Sequence, residues 1–337
     1  MPPRAALEAV PSRTAPPGTG VEEVSSVLSR VAEALFWMGR YVERADDTAR
    51  LLDAFLHRMV EDPWTDEVAA CRSLLGVLGL EPYASDAPTV DATVRRVALD
   101  ADSPSSIAGA LLLARENARG VREVVSSELW ECLNATRHDL LGSDASPELL
   151  GPGDFLARVR ERAALFCGLA DATLSRDEGW RFLVLGRSLE RADMTARLLS
   201  VLVSGTGPLP DRTTLLRAAG AEESFLRTYG GAAGTERAVE FLVLDRLFPR
   251  SVLHALSTAE ECLVALAPVA AERTGVADRA RRPIGRLRTR LEYADVSTVG
   301  HELPVLLADL GAACSQATDA LARRYFTDAP LAPWEGR

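Results

Sequence analysis

The chain has 337 residues, 47% of them apolar and 26% charged, with a net charge of −10. That composition belongs to a globular protein able to bury a substantial core, and its acidity excludes a nucleic-acid backbone as partner. All 38 basic residues are arginine, which excludes the phosphate lysine of a P-loop, a Schiff-base lysine and a lysine general base.

In chain order, residues 1–24 read as a disordered Pro/Ala-rich extension. Between Leu28 and Leu56 apolar residues recur every three or four positions, the period of a helix, which Asp62-Pro63 ends. Shorter helices follow in TDEVAACRSLLGVL and APTVDATVRRVALDA. From Ser103-Pro104 the periodicity predicts one helical stretch reaching about Leu141. GSDASPELLGPGD is the clearest linker and divides the helical region, 25–327, into halves of about 25–142 and 151–327. The second half opens with DFLARVRERAALFCGLADATL and EGWRFLVLGRSLERADMTARLLSVLV, and breaks at SGTGPLPD and TYGGAAGTE. It places a proline at the start of PRSVLHALSTAEECLVALA and closes with two long helices near Phe326. Residues 328–337 read as a tail. No segment alternates with period two for long enough to form a strand, so the expected fold class is all-α.

No apolar run reaches the roughly 18 to 20 residues that span a bilayer, and MPPRAALEAVPSRTAPPGTG lacks the apolar core expected of a signal peptide. Five scattered cysteines without a CxxC fit a reducing compartment, and the expected location is cytoplasmic.

GRYVERADDTARLL, Gly39 to Leu52, recurs 147 residues later as GRSLERADMTARLL, identical at 11 of 14 positions. LLLARENARGV, Leu111 to Val121, similarly matches LVLDRLFPRSV, Leu242 to Val252, with Arg115/Arg246 and Arg119/Arg250 aligned and Ser126-Ser127 parallel to Ser257-Thr258. Two segments repeated in the same order predict an internally duplicated helical bundle with a pseudo-twofold relation between its halves.

At about 100° per residue, Arg40, Glu43, Arg44, Asp46, Asp47 and Arg50 gather on one side of their helix, away from Tyr41, Ala45, Ala49 and Leu52. Arg187, Glu190, Arg191, Asp193 and Arg197 do the same in the second copy. A solvated face tolerates exchange among charged residues, yet here only Asp47 changes, to Met194. Two explanations follow. In one, the two helices cross near the pseudo-twofold axis and each Glu pairs bidentately with an arginine, of its own copy or of the other. In the other, the charges line a pocket, joined by Arg115, Arg119, Arg246 and Arg250, that binds a carboxylate or phosphate. Glu43 and Glu190 would then position the guanidiniums or act as general bases.

The four histidines lack metal-binding spacing, and arginines beside Glu43, Asp46 and Asp47 disfavour a divalent cation, so no metal site is expected. No GxSxG and no Cys-His pairing mark a nucleophile.

LSRVAEALFWMGRYVERADDTARLLD, ENARGVREVVSSELWECLN, GRSLERADMTARLL and FLVLDRLFPRSV together resemble the bacterial alpha-E family, from about Val27 to Phe326. The family's ER motif maps onto Glu43-Arg44 and Glu190-Arg191. The resemblance implies partnership with an ATP-grasp ligase, with a transglutaminase-like protein nearby, in amide or peptide bond formation on an anionic small molecule or peptide. ATP and magnesium would then sit on the partner, with no cofactor in this chain. A non-catalytic scaffold is the alternative.

Overall fold

The computed structural model describes residues 20–81, 87–142, 151–204, 210–231, 233–267 and 278–326. They are all-α: thirteen helices and no strand occur among the described residues. Residues 1–19 and 327–337, and residues 143–150 of the linker, lie outside them. Residues 20–24, expected in the N-terminal extension, instead belong to the first helix.

The first six helices are α1 (Gly20–Glu61), α2 (Glu67–Val77), α3 (Val90–Leu99), α4 (Ile107–Gly120), α5 (Ser127–Leu141) and α6 (Pro152–Thr173). Then come α7 (Glu178–Ser204), α8 (Arg212–Ala218), α9 (Glu222–Tyr229), α10 (Thr235–Leu244), α11 (Val252–Leu266), α12 (Arg281–Glu292) and α13 (Val296–Tyr325). The expected single stretch from Ser103 to Leu141 is two helices. Its apolar period runs through, but the backbone breaks at Val121–Ser126, where the Ser126 hydroxyl accepts from Leu129 N at 3.1 Å and caps α5.

Helices α1 and α7, which carry the repeated motif, pack against each other at the centre. Helix α1 is covered by α4, α6 and α8, and α7 by α11, α13 and α2. Helix α6 therefore groups with α1 and α5, so the first set of helices ends at Thr173 and not in the linker at 142–151. The short helices cross over: α2 lies on α7 and α8 on α1. Sheathed on all sides, α1 buries Phe36, Met38, Val42, Ala45, Ala49 and Leu52 together with Arg40, Glu43, Asp46 and Asp47.

Two glycines let the central helices touch backbone to backbone. A Cβ on Gly39 would lie 2.2 Å from the Leu183 carbonyl oxygen, and one on Gly186 would lie 2.0 Å from that of Phe36. Both gaps are far below van der Waals contact, so any side chain must push α1 and α7 apart. Gly39→Ala is accordingly expected to destabilise the fold by about 3 kcal/mol, the upper part of the overpacking range, despite alanine's higher helix propensity. Urea denaturation checks this, and an unchanged midpoint would show that the crossing is not tight.

Candidate functional site

At this crossing each motif glutamate reaches into the opposite helix. Glu190 accepts from Arg40 Nε at 2.6 Å, and from Arg44 Nε and Nη2 at 2.5 and 3.1 Å, both arginines standing on α1. Glu43 accepts from Arg191 Nε on α7 at 2.6 Å. The pairing is reciprocal: glutamate and second arginine of one motif meet their counterparts in the other. Glu43 is 2% exposed and Glu190 1%, so these charges have left water and depend on one another. The spacing follows from the helix: Gly39, Glu43 and Asp46 or Gly186, Glu190 and Asp193 recur at three- and four-residue steps, placing each carboxylate just past the glycine contact.

The arginines are held at several points. Arg40 Nη1 donates to Thr318 Oγ1 at 3.2 Å, and its guanidinium carbon lies 5.5 Å from the Trp37 ring centre. Arg44 Nη1 donates to the Pro104 carbonyl at 3.2 Å and lies over Tyr41 at 5.5 Å. The half-buried aromatics Trp37 and Tyr41 thus shield the network from solvent.

The two ends of the crossing differ. Around Glu43, the Arg250 guanidinium enters from the loop between α10 and α11, 3.0 Å from Glu43 Oε1 and in direct contact with Asp46 and Asp47. The three carboxylates come within 4.8 Å of one another, the spacing of a cation site, and the cation among them is Arg250. Asp46 also accepts from Arg50 Nε at 3.2 Å. Around Glu190, Asp193 accepts from the more exposed Arg197 at 2.9 Å, and Met194 stands where Asp47 would be. Arg187, the counterpart of Arg40, donates to the Cys167 thiol while its charge still acts on Glu43.

Burial alone would raise every carboxyl here. At Glu190 the charges and hydrogen bonds of Arg40 and Arg44 outweigh it and bring the group down to about 2. Glu43 is likewise held below its usual value, burial being overcome by Arg191 and Arg250. Asp47 goes the other way. Burial, opposed by Arg250 but reinforced by Glu43 and Asp46, raises it to about 8. Arg191 and Arg50 also serve Glu43 and Asp46, whereas Asp47 meets the shared Arg250, and there burial and the neighbouring carboxylates prevail and favour the protonated form.

Three of the expected ligand-binding arginines stand apart from the crossing. Arg115 donates to Asn134 at 2.7 Å and to Glu116 at 2.6 Å. Arg119, its side chain 63% exposed, pairs with Glu116 at 2.8 Å. Arg246, 64% exposed, donates to the Glu292 carbonyl at 3.3 Å. The alignment that grouped Arg119 with Arg250 is out of register. The loops built alike are DADSPSS, Asp100 to Ser106, and DRLFPRS, Asp245 to Ser251. In each the closing serine caps its helix (Gly109 N to Ser106 Oγ at 2.9 Å, His254 N to Ser251 Oγ at 3.1 Å) and donates back to the Asp100 or Asp245 carbonyl. Ser105, not Arg119, occupies the place of Arg250. Nor do Ser126-Ser127 and Ser257-Thr258 correspond, since Ser126 caps α5 while Ser257 lies inside α11.

Sequence reasoning missed Thr318 and Cys167 as neighbours of the motif. It also missed a second gathering of arginines, Arg181, Arg281 and Arg288, around a cavity of about 600 Å³ where Glu260 accepts from Arg281 at 3.2 Å and Arg288 at 2.5 Å. Their helices meet only in three dimensions, and no repeat marks them.

The geometry defines a class: an all-helical protein whose two central helices are locked by reciprocal, buried Glu-Arg motifs. Residues 27–326 match the Alpha-E family, described as a predicted alpha-helical domain with a conserved ER motif, and the chain belongs to that family. It is similar to uncharacterized proteins of Mycobacterium bovis and of Mycobacterium tuberculosis strain CDC 1551, 27% identical to each over 346 residues. A protein of M. tuberculosis strain H37Rv is 26% identical over the same length. The alignments cover 93% of this chain and 38% of each relative. No solved structure matches the chain significantly. No helix among the described residues is long and apolar enough to cross a membrane.

Two predictions follow from the charges. Glu43→Gln and Glu190→Gln each leave buried guanidiniums under-neutralised and are expected to cost about 3 to 5 kcal/mol, read as a fall of several degrees in Tm. Melting within a degree of wild type in both would remove the network from the fold's supports. Asp47 carries the opposite pH sign from Glu190. Its folded value of about 8 lies above the ordinary 3.8, so its contribution is complete below about pH 4 and is lost as pH rises through 8. Glu190, at about 2 against an ordinary 4.5, contributes above pH 4.5 and loses that contribution as pH falls toward 2. Asp47→Asn should therefore gain stability relative to wild type as pH is raised from about 6 to about 9. Parallel denaturation midpoints across that range would show that Asp47 is ionised throughout.

Proposed function

We propose that the protein is a helical scaffold acting beside an ATP-grasp ligase in amide or peptide bond formation, its ER motifs serving to fix the crossing of α1 and α7. The observation that carries the structural part is the reciprocal burial of Glu43 and Glu190 against arginines of the opposite helix. Arg40, Arg44 and Arg191 direct their Nε donors at those carboxylates, across the crossing and between the two helices. Support for a partner comes from the relatives, of which this chain spans 38%, so that in them the helical region is continuous with a longer polypeptide. The ligase assignment rests on the family resemblance.

The test is reconstitution. Tagged chain is used to capture the ATP-grasp protein, and amide formation is followed with wild type and with Glu190→Gln below its melting temperature. A complex whose product yield tracks the folded fraction, and not the presence of Glu190, is the expected result. Loss of product in a folded variant would place the motif in the chemistry, and failure to capture the ligase would remove the partnership.

A further inference from the structure

Away from the crossing, this acidic chain concentrates positive charge on one helix. Between Asp278 and Glu292 the sequence holds six arginines and no carboxylate. Arg281 and Arg288, two turns apart, fall on one face of α12. With Arg181 of α7 they line a cavity of about 600 Å³, within the range of small-molecule sites. Arg282 and Arg286 add to the field from exposed positions on the same helix.

Glu260 of α11 positions two of these arginines. It accepts from Arg281 Nε at 3.2 Å and from Arg288 Nε at 2.5 Å. Its carboxylate rests against Gly285, where a Cβ would lie 2.8 Å from Oε1. Arg288 is then completed by Glu292, which accepts from Nη1, and by Thr289 Oγ1, which accepts from Nη2 at 3.3 Å. Arg281 is not: its Nη1 and Nη2 meet no acceptor among the described residues. Arg181 likewise meets no carboxylate among them. Its guanidinium lies 4.9 Å from the Trp180 ring centre and donates to the Cys262 thiol. A guanidinium carries five N–H donors, so Arg181 and Arg281 keep most of theirs unused. Val264 and Ala265, both exposed on α11, give the cavity an apolar wall. Glu261, exposed in the lining, opposes an anion but leaves the guanidiniums in the majority.

We propose that this cavity binds a small phosphate monoester with an apolar substituent. The phosphate oxygens accept from Arg181 and from Arg281 Nη1 and Nη2, and the substituent lies on Val264 and Ala265. Guanidiniums reach the cavity from two helices, and a phosphate, with acceptors on several sides and a charge of roughly −2, serves both. A planar carboxylate fits a single fork, and Glu260 already holds that place between Arg281 and Arg288. The site stands whether or not a ligase partners the chain.

The experiment is calorimetric titration of the full chain, at fixed ionic strength, with phenyl phosphate, inorganic phosphate and benzoate. Phenyl phosphate is expected to bind, and the other two, one without the ring and one without the phosphate, to bind at least about tenfold more weakly. Arg181→Gln and Arg281→Gln should each weaken phenyl phosphate about tenfold. Glu261→Arg, which reverses the opposing charge at an exposed position, should strengthen it severalfold. Arg119→Gln, an exposed arginine on α4, should leave it unchanged, with each variant's Tm compared with wild type. No binding of phenyl phosphate at millimolar concentration, or binding of either other compound as tightly, would overturn the proposal. So would unchanged affinity in folded Arg181→Gln and Glu261→Arg.

Discussion

Two carboxylates removed from water at the centre of a helical protein constrain everything around them. Glu43 and Glu190 are tolerable there only because guanidiniums from the opposite helix reach them at 2.5 to 2.6 Å, and the guanidiniums in turn are tolerable only because of the carboxylates. That mutual dependence sets the separation of α1 and α7. The separation in turn requires glycine at 39 and 186, since a Cβ would collide with the opposing carbonyl. The outer helices then close over a centre that is charged where an ordinary bundle would be apolar, and the stacked aromatics Trp37 and Tyr41 keep water from it.

The departure from reciprocity is as informative as the reciprocity. Arg250 and Asp47 occur together at one end, while Ser105 and Met194 replace both at the other. A contact between an arginine and an acid at one end has been exchanged for two uncharged side chains at the other. At the Glu43 end three carboxylates stand together, and burial with the charges of Glu43 and Asp46 raises Asp47 to about 8. The acidic grouping that suggested a cation site is already filled by a cation of the chain itself.

Much of the fold was legible in the residues. Helices α2, α3, α6, α7 and α11 fall where periodicity and breakers placed them, because amphipathic spacing and caps act within a few residues along the chain. The break at Val121–Ser126 was not legible, because the apolar period continues across it and only the Ser126 cap and the packing of α5 on α6 redirect the backbone. The site was half legible. The repeated motif announced charges that water does not account for. Arg250 and Arg119 looked alike by spacing, yet one enters the network and the other lies in solvent, because the loop carrying Arg250 precedes its helix while Arg119 ends one.

The sequence by itself determined that the chain is all-α, that two helices carry the same charged face, and that this face is not ordinary surface. These are properties of spacing over one or two turns, and they survive any arrangement of the helices. Only the tertiary structure decided which arginine serves which glutamate, that Arg250 is shared among three carboxylates, and that Arg119 and Arg246 lie exposed. Those outcomes depend on groups as far apart in the chain as Glu43 and Arg250 and on the loss of water around them. Burial and long-range approach have no signature in the order of residues.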